Sequence, residues 1–202
     1  MKYESLLKQI EFINENDKIK YIERRTRLIN SNRRENDAEH SWHLAMMAMV
    51  LTEHSNEKVD LLKVIKMVLI HDIVEIDSGD IFIYDTKNNH DNTEEELKAA
   101  KRIFGILPQE QAEELIELWK EFEANETSEA KFAKAIDRLE PLLQNASNQG
   151  GTWKEYGVKH HQVIEKKIII NEGSEVLWDY TTDLLDKCVE EGILSKGEQI
   201  QK

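Results

Sequence analysis

One stretch constrains this chain more than any other: Val64, Ile65, Met67, Val68, Leu69 and Ile70 form a nearly continuous apolar run that stops at His71-Asp72. A segment that apolar fits a buried central helix. Asp60 stands where its N-cap belongs, and its end is expected near Ile76 to Gly79. An imidazole and a carboxylate at the end of such a segment are costly to bury unless something pairs with them, and a metal is one such partner. An isolated His-Asp dipeptide is common, so the pair alone says little.

The rest of the chain reads as further helices. Two prolines and eight glycines in 202 residues are few chain breakers, and Glu, Lys, Leu, Ile and Ala predominate, which favours long helices and short loops. A first helix covers roughly Glu4 to Asn14 and an Arg-rich connection follows; Asp37 is then placed to N-cap a helix carrying Leu44, Met47, Val50 and Leu51 on one face. Thr93 with Glu96 has capping-box spacing and opens a helix to about Phe104, and Pro108 suits the first turn of another to about Glu123. Ser128 begins a helix to about Gln149 with Phe132, Ala135, Ile136 and Leu139 at helical apolar spacing. Helices near His160 to Ile170 and Ser174 to Glu191 complete an all-α chain. No repeat, linker or low-complexity run divides it, so one domain over 1–195 with a polar tail at 196–202 is expected.

The formal charge of -13, from 40 acidic and 27 basic side chains, argues against a partner that is a nucleic-acid polymer, while a small anionic ligand remains compatible with a locally basic site. Cys188 is the single cysteine, so no internal disulfide forms. No uncharged apolar stretch approaches the ~20 residues of a membrane helix, and MKYESLLKQIEF lacks the apolar core of a signal peptide. A cytoplasmic protein with no membrane partner is the expectation.

His40 and Asp137 also lie in helices with apolar surrounding faces. Packing those helices against the one that ends at His71-Asp72 could bring two imidazoles and two carboxylates to one point, a donor set that suits a divalent transition ion. Such an ion acidifies a bound water and polarises a phosphoryl oxygen, so hydrolysis of a phosphoester follows naturally.

Three strings, RRENDAEHSWHLAMMA, VLIHDIVEIDSGD and EAKFAKAIDRLEPLLQ, in that order and spacing, closely resemble the HD superfamily of metal-dependent phosphohydrolases, and within it the 5′-deoxynucleotidase branch. The resemblance runs from about Arg25 to about Gln149. It implies a helical bundle around a single metal site held by His40, His71, Asp72 and Asp137. It further implies hydrolysis of deoxyribonucleoside 5′-monophosphates to deoxynucleoside and phosphate, one divalent ion (manganese, cobalt, zinc or magnesium) and a homodimer. Related readings are an HD hydrolase acting on a cyclic nucleotide, a triphosphate or a signalling nucleotide, and a module that senses a nucleotide without turning it over.

Glu75, three residues after Asp72 and so roughly 300° around a helix, falls near the same face and is the candidate catalytic carboxyl. It would orient the attacking water or protonate the leaving 5′-oxygen; the plainer alternative is a solvated helix-end carboxylate. Asp80 occupies the acidic position of the family's Gly-Asp pair, which implies a contact near the sugar, although Gly79-Asp80 is also ordinary turn chemistry. Arg24, Arg25, Arg27, Arg33 and Arg34 form a positive island before His40. Arg33, at the family's arginine seven residues before the first ligand, is the expected phosphate contact. Arg25 stands at the sugar-binding arginine, but the aromatic residue that accompanies it in the family has no counterpart in ERRTRLIN. The remaining arginines are expected to be solvated or paired with glutamates. His43 is not a ligand position in the family, and His54, His90, His160 and His161 fall outside the motifs. Trp42, Trp119, Trp153 and Trp178 are read as core or interface anchors.

Overall fold

The computed structural model describes residues 3–85 and 93–197; His90, the side chain of Thr93 and the tail from residue 198 lie outside them. The chain folds as α1 (Glu4–Asn16), β1 (Glu23–Arg27), β2 (Arg34–Asn36), α2 (Asp37–Leu51), α3 (Leu61–Ile70), α4 (Glu75–Ser78), α5 (Thr93–Phe104), α6 (Gln109–Ala124), α7 (Ser128–Ser147), α8 (Gly151–Glu155), α9 (His160–Lys167), α10 (Ile170–Gly173) and α11 (Glu175–Glu190). Among the described residues this is a helical fold with one small hairpin. Among the described residues no helix is long and apolar enough to cross a membrane.

The core is centred on α7, which packs against α2, α3, α6, α10 and α11. Phe132, Ala135, Ile136 and Leu139 are all 2% exposed or less, and they meet Leu44 of α2 and Val64, Met67 and Val68 of α3 in one cluster. Each large apolar side chain so buried contributes about 1.5–3 kcal/mol relative to leaving it in water. Trp119 and Trp153 lie in this core, whereas Trp42 faces outward. Val50, expected on the inner face of α2, is exposed, because the face that turns inward runs through His40, Leu44, Met47 and Ala48.

The local signals explain most boundaries, with shifts. Asp60 caps α3 by accepting from the amides of Leu62 and Lys63. The N-cap of α2 is Asn36, not Asp37: Asn36 and Glu39 form a reciprocal capping box, which releases the Asp37 carboxylate to point into the protein. α7 begins at Ser128 as expected, with Thr127 as its N-cap, and Ser174 caps α11. The regular α3 helix ends at Ile70, and His71–Val74 tighten into a 3-10 turn before α4.

The Arg-rich connection is an antiparallel hairpin, a feature its charge density conceals. Glu23 pairs with Asn36 and Arg27 with Arg34, and Asn30 turns the chain with φ 54°. The Asn148 amide, just beyond α7, donates to the carbonyls of Arg27 and Leu28. This tether fixes the hairpin over the end of α7 and aims alternate side chains of β1 at the protein interior.

Candidate metal centre

His40 from α2, His71 and Asp72 from the 3-10 turn, and Asp137 from α7 converge at one buried point. His40 Nε2 is 3.1 Å from Asp137 Oδ1 and 3.9 Å from Asp72 Oδ2. His71 Nε2 is 3.0 Å from Asp72 Oδ1 and 3.7 Å from Asp137 Oδ1. His40, His71 and Asp72 each offer a ligand atom within 4.8 Å of the others. The tightened turn matters here, since it presents two consecutive side chains toward one point.

The chemistry of these atoms fits a cation. His71 Nδ1 is 3.0 Å from the Val68 carbonyl, which holds the proton on that nitrogen and turns a lone pair at Nε2 toward the cluster. His71 Nε2 is buried and has no aligned hydrogen-bond partner, an orphan that a metal ion satisfies. Phe122 packs on the His71 ring at 4.9 Å between centroids and fixes its plane.

Behind His40 stands a pair of carboxylates that sequence reasoning missed. His40 Nδ1 lies 3.3 Å from Glu140 Oε2 and 3.4 Å from Glu35 Oε2, both acids being essentially unexposed. Burial and the Arg24 charge oppose protonation of His40, yet Asp137, Glu140 and Glu35 outweigh them and hold its imidazole well above the ordinary range. Burial alone would raise Glu140; the His40 and His43 imidazoles bring it down to about 2. His43 Nδ1 is 3.0 Å from Glu140 Oε1, so His43 supports the site from behind. Helical spacing was the available signal: Asp137 and Glu140 are i and i+3 on α7, as are His40 and His43 on α2.

Glu75 and Asp80 adjoin the tetrad in a second acidic group with Asp37, their oxygens within 4.8 Å of one another. Burial, then the charges of Asp72 and Asp37, push the Glu75 carboxyl well above the carboxylate range. Asp37 is raised to about 7 by burial and Asp72, against the pull of Arg24. Burial likewise raises Asp80. Arg24 holds this acidic ground together: its Nη1 donates to Asp72 Oδ2 at 2.8 Å and Asp37 Oδ1 at 3.2 Å, and stands 4.0 Å from Asp80 Oδ1.

Arg24 meets the expectation of a glutamate partner only in part: its Nε is 3.9 Å from Glu35 Oε2 on the adjacent strand, but its shorter contacts are to Asp72 and Asp37. Strand alternation is the reason: on β1, Glu23 and Arg25 are exposed while Arg24 and Thr26 turn inward. Arg33 is not brought to the tetrad; it is exposed and makes a two-pronged pair with Glu39 at 2.8 and 2.9 Å. Arg25 lines a neighbouring cavity together with Asp80. The tetrad opens on a cleft of about 510 Å³ whose walls include His71, Asp72, Glu75, Asp80 and Asp137, with Arg24, Lys134, Arg138 and Lys166 as cations.

A family model described as "HD domain" matches residues 16–178. The chain belongs to the HD-domain family. The HD-domain chain is similar to a crystal structure from Magnetospirillum magnetotacticum described as a "Predicted metal-dependent phosphohydrolase", with a TM-score of 0.90 and 50% identity over 95% of this chain and 96% of that one. It is also 34% identical to 5′-deoxynucleotidase HDDC2 of Homo sapiens over 57% of this chain and 55% of the relative. A third relative, 5′-deoxynucleotidase HDDC2 of Dictyostelium discoideum, is 32% identical over 66% of this chain and 68% of its own length. The HD-domain chain spans about half the length of the mammalian relatives it matches.

Proposed function

We propose that this HD-domain protein is a metal-dependent phosphomonoesterase that hydrolyses deoxyribonucleoside 5′-monophosphates to deoxynucleoside and phosphate. The carrying observation is the meeting of His40, His71, Asp72 and Asp137 around the orphaned His71 Nε2, beside Glu75 in one open cleft. The curated relatives named 5′-deoxynucleotidase supply the substrate class. His40, His71, Asp72 and Asp137 would hold one divalent ion, and their mixed nitrogen and oxygen set suits manganese, cobalt or zinc better than magnesium. Such an ion supplies a water acidified toward neutrality and a charge that polarises a phosphoryl oxygen.

Hydrolysis places the water oxygen on phosphorus and breaks the bond from phosphorus to the 5′-oxygen, which needs a proton as it departs. Glu75 lines the cleft beside the tetrad and is the group that delivers it. Arg24 and Lys134, on the same walls, face the phosphate; Arg33, tied to Glu39, is poorly placed for that task. Asp80, between the cleft and the cavity of Arg25, is the residue set to meet the sugar.

The protein acts in the cytoplasm as a homodimer, with residues 1–195 as one domain and 196–202 as its tail. One continuous core from Ile19 to Leu194 supports the single domain. An exposed stripe of Trp42, Met46, Met49 and Val50 along the outer face of α2 supports the dimer, since an apolar row of that kind is a preferred association surface.

The test is phosphate release by metal-stripped protein from deoxyribonucleoside and ribonucleoside 5′-monophosphates, with manganese, cobalt, zinc or magnesium resupplied separately. Preferential, metal-dependent release from the deoxy substrates, lost in Asp72→Asn, supports the reading. No release from any monophosphate with any metal sinks it.

A further inference from the structure

We propose that the cavity beyond Arg24 is a second anion subsite keyed by Lys167, so that the preferred nucleotide carries a 3′-phosphate as well as the 5′-phosphate that is hydrolysed. This rests on the 5′-phosphomonoesterase reading above.

The side chain of Lys167, the last residue of α9, is 3% exposed and makes no side-chain hydrogen bond or ion pair among the described residues, although the charges of Asp137 and Glu140 act on it from farther off. A lysine whose stem is buried and whose ammonium faces a cavity without an ion-pair partner is unfavourable, and a counter-charge in that cavity would offset the cost. Burial and the Arg138 and Arg24 charges press its proton off against the pull of Asp137 and Glu140, lowering it to about 7. Its cavity, about 70 Å³, is several times the roughly 10–15 Å³ that one water requires.

The other walls are rich in unused donors. Among the described residues Arg25 also makes no ion pair, and the carboxylate near Arg138 is Asp137, at 3.6 Å. The Tyr84 hydroxyl, beside Trp153, is buried without an aligned hydrogen-bond partner. Asp80 is the one carboxylate on the described walls; Arg24 and Arg138 already have partners in Asp72, Asp37 and Asp137, which leaves Arg25 and Lys167 as the wall cations without an ion pair among the described residues. A neutral acceptor such as a base carbonyl would occupy one donor and leave Arg25 and Lys167 without an ion-pair partner. A phosphate, with several charged acceptor oxygens, satisfies a lysine and arginine forks together.

The cavity adjoins the metal cleft, because Arg24, Asp80, Ile81, Ile83 and Arg138 line both. A nucleotide whose 5′-phosphate sits in the cleft reaches the cavity by laying its sugar along this shared wall. The 3′-oxygen is then the attachment point for the second anion.

The experiment compares kcat/KM for deoxyadenosine 5′-monophosphate and deoxyadenosine 3′,5′-bisphosphate with metal-loaded protein, wild type and Lys167→Met. The bisphosphate should be favoured about tenfold or more, the scale of charge-assisted hydrogen bonds, and the ratio should collapse toward unity in the variant. Arg25→Gln, at the exposed mouth, should lower the ratio in the same direction and guards against a folding defect in the first variant. A wild type that shows no bisphosphate preference, or a ratio unmoved by Lys167→Met, overturns the subsite and leaves the monoesterase reading intact. Should neither compound be hydrolysed, the function reading fails and calorimetry decides the subsite. Tighter binding of the bisphosphate that depends on Lys167 supports it, and equal binding overturns it. Lys167-dependent binding of inorganic phosphate without a bisphosphate preference identifies free phosphate as the ligand and overturns the substrate claim.

Discussion

His40 Nε2 meets Asp137 Oδ1 at 3.1 Å across 97 positions of chain, while the opposite ring nitrogen faces Glu140 Oε2 at 3.3 Å. One imidazole therefore links α2 to α7 and is steered from behind by a buried acid, the arrangement that sets the orientation and basicity of a metal-binding histidine. Glu140→Gln should weaken divalent-ion binding by about 10–100-fold, read by calorimetry with manganese or cobalt, with turnover recovering at saturating metal. Unchanged affinity would show that the Glu140 contact has no part in holding the ion.

Glu75 separates chemistry from metal binding, because it lines the cleft without joining the tetrad. Glu75→Gln should reduce kcat by about 10²–10⁴-fold, the usual worth of a positioned acid or base, with metal affinity close to wild type. Wild-type kcat in this variant would remove Glu75 from the reaction.

Arg24 and Arg33 should behave differently. Arg24 is the cation shared by Asp72, Asp37 and Asp80, and breaking a buried arrangement of that kind costs about 3–5 kcal/mol. Arg24→Met should lower the melting temperature and remove activity. Arg33 pairs with Glu39 in solvent, where such pairs contribute about 0–1 kcal/mol, so Arg33→Ala should leave both stability and KM for the monophosphate little changed. A large rise in KM on losing Arg33 would return the phosphate contact to that residue.

Lys167 gives a pH signature in stability. Its folded value of about 7 lies below the ordinary 10.5, so between those values the unfolded chain holds a proton that the folded one has lost. Stability therefore rises with pH across that window, and the penalty of burying the charge is full below about pH 7. Lys167→Met should stabilise the protein by about 1–4 kcal/mol near pH 6, with the gain shrinking above pH 8. Parallel melting curves of the two proteins across that range check it, and a pH-independent difference would show that Lys167 stays charged in the fold.

The helices and their order were legible because they follow from local periodicity: Phe132, Ala135, Ile136 and Leu139 mark the inner face of α7, and Asp60 and Ser174 mark helix starts. Local rules also misled. Asp37 resembles an N-cap as much as Asn36 does, and nothing nearby reveals that Asn36 takes the cap and Asp37 turns to Arg24. The hairpin was hidden for a related reason, since ERRTR has no apolar alternation and its register comes from β2 and from the Asn148 tether beyond α7.

The amino-acid sequence by itself determined a predominantly helical HD-domain chain and the four motif positions His40, His71, Asp72 and Asp137, because hydrophobic period, caps and motif spacing are carried by neighbouring residues. Only the tertiary structure decided which polar residues surround them: Arg24 rather than Arg33 at the tetrad, Glu35 and Glu140 behind His40, and Lys167 with Arg25 on the neighbouring cavity. The physical reason is that a buried charge is tolerated or not according to partners brought from distant elements, and no local pattern encodes the distance between them.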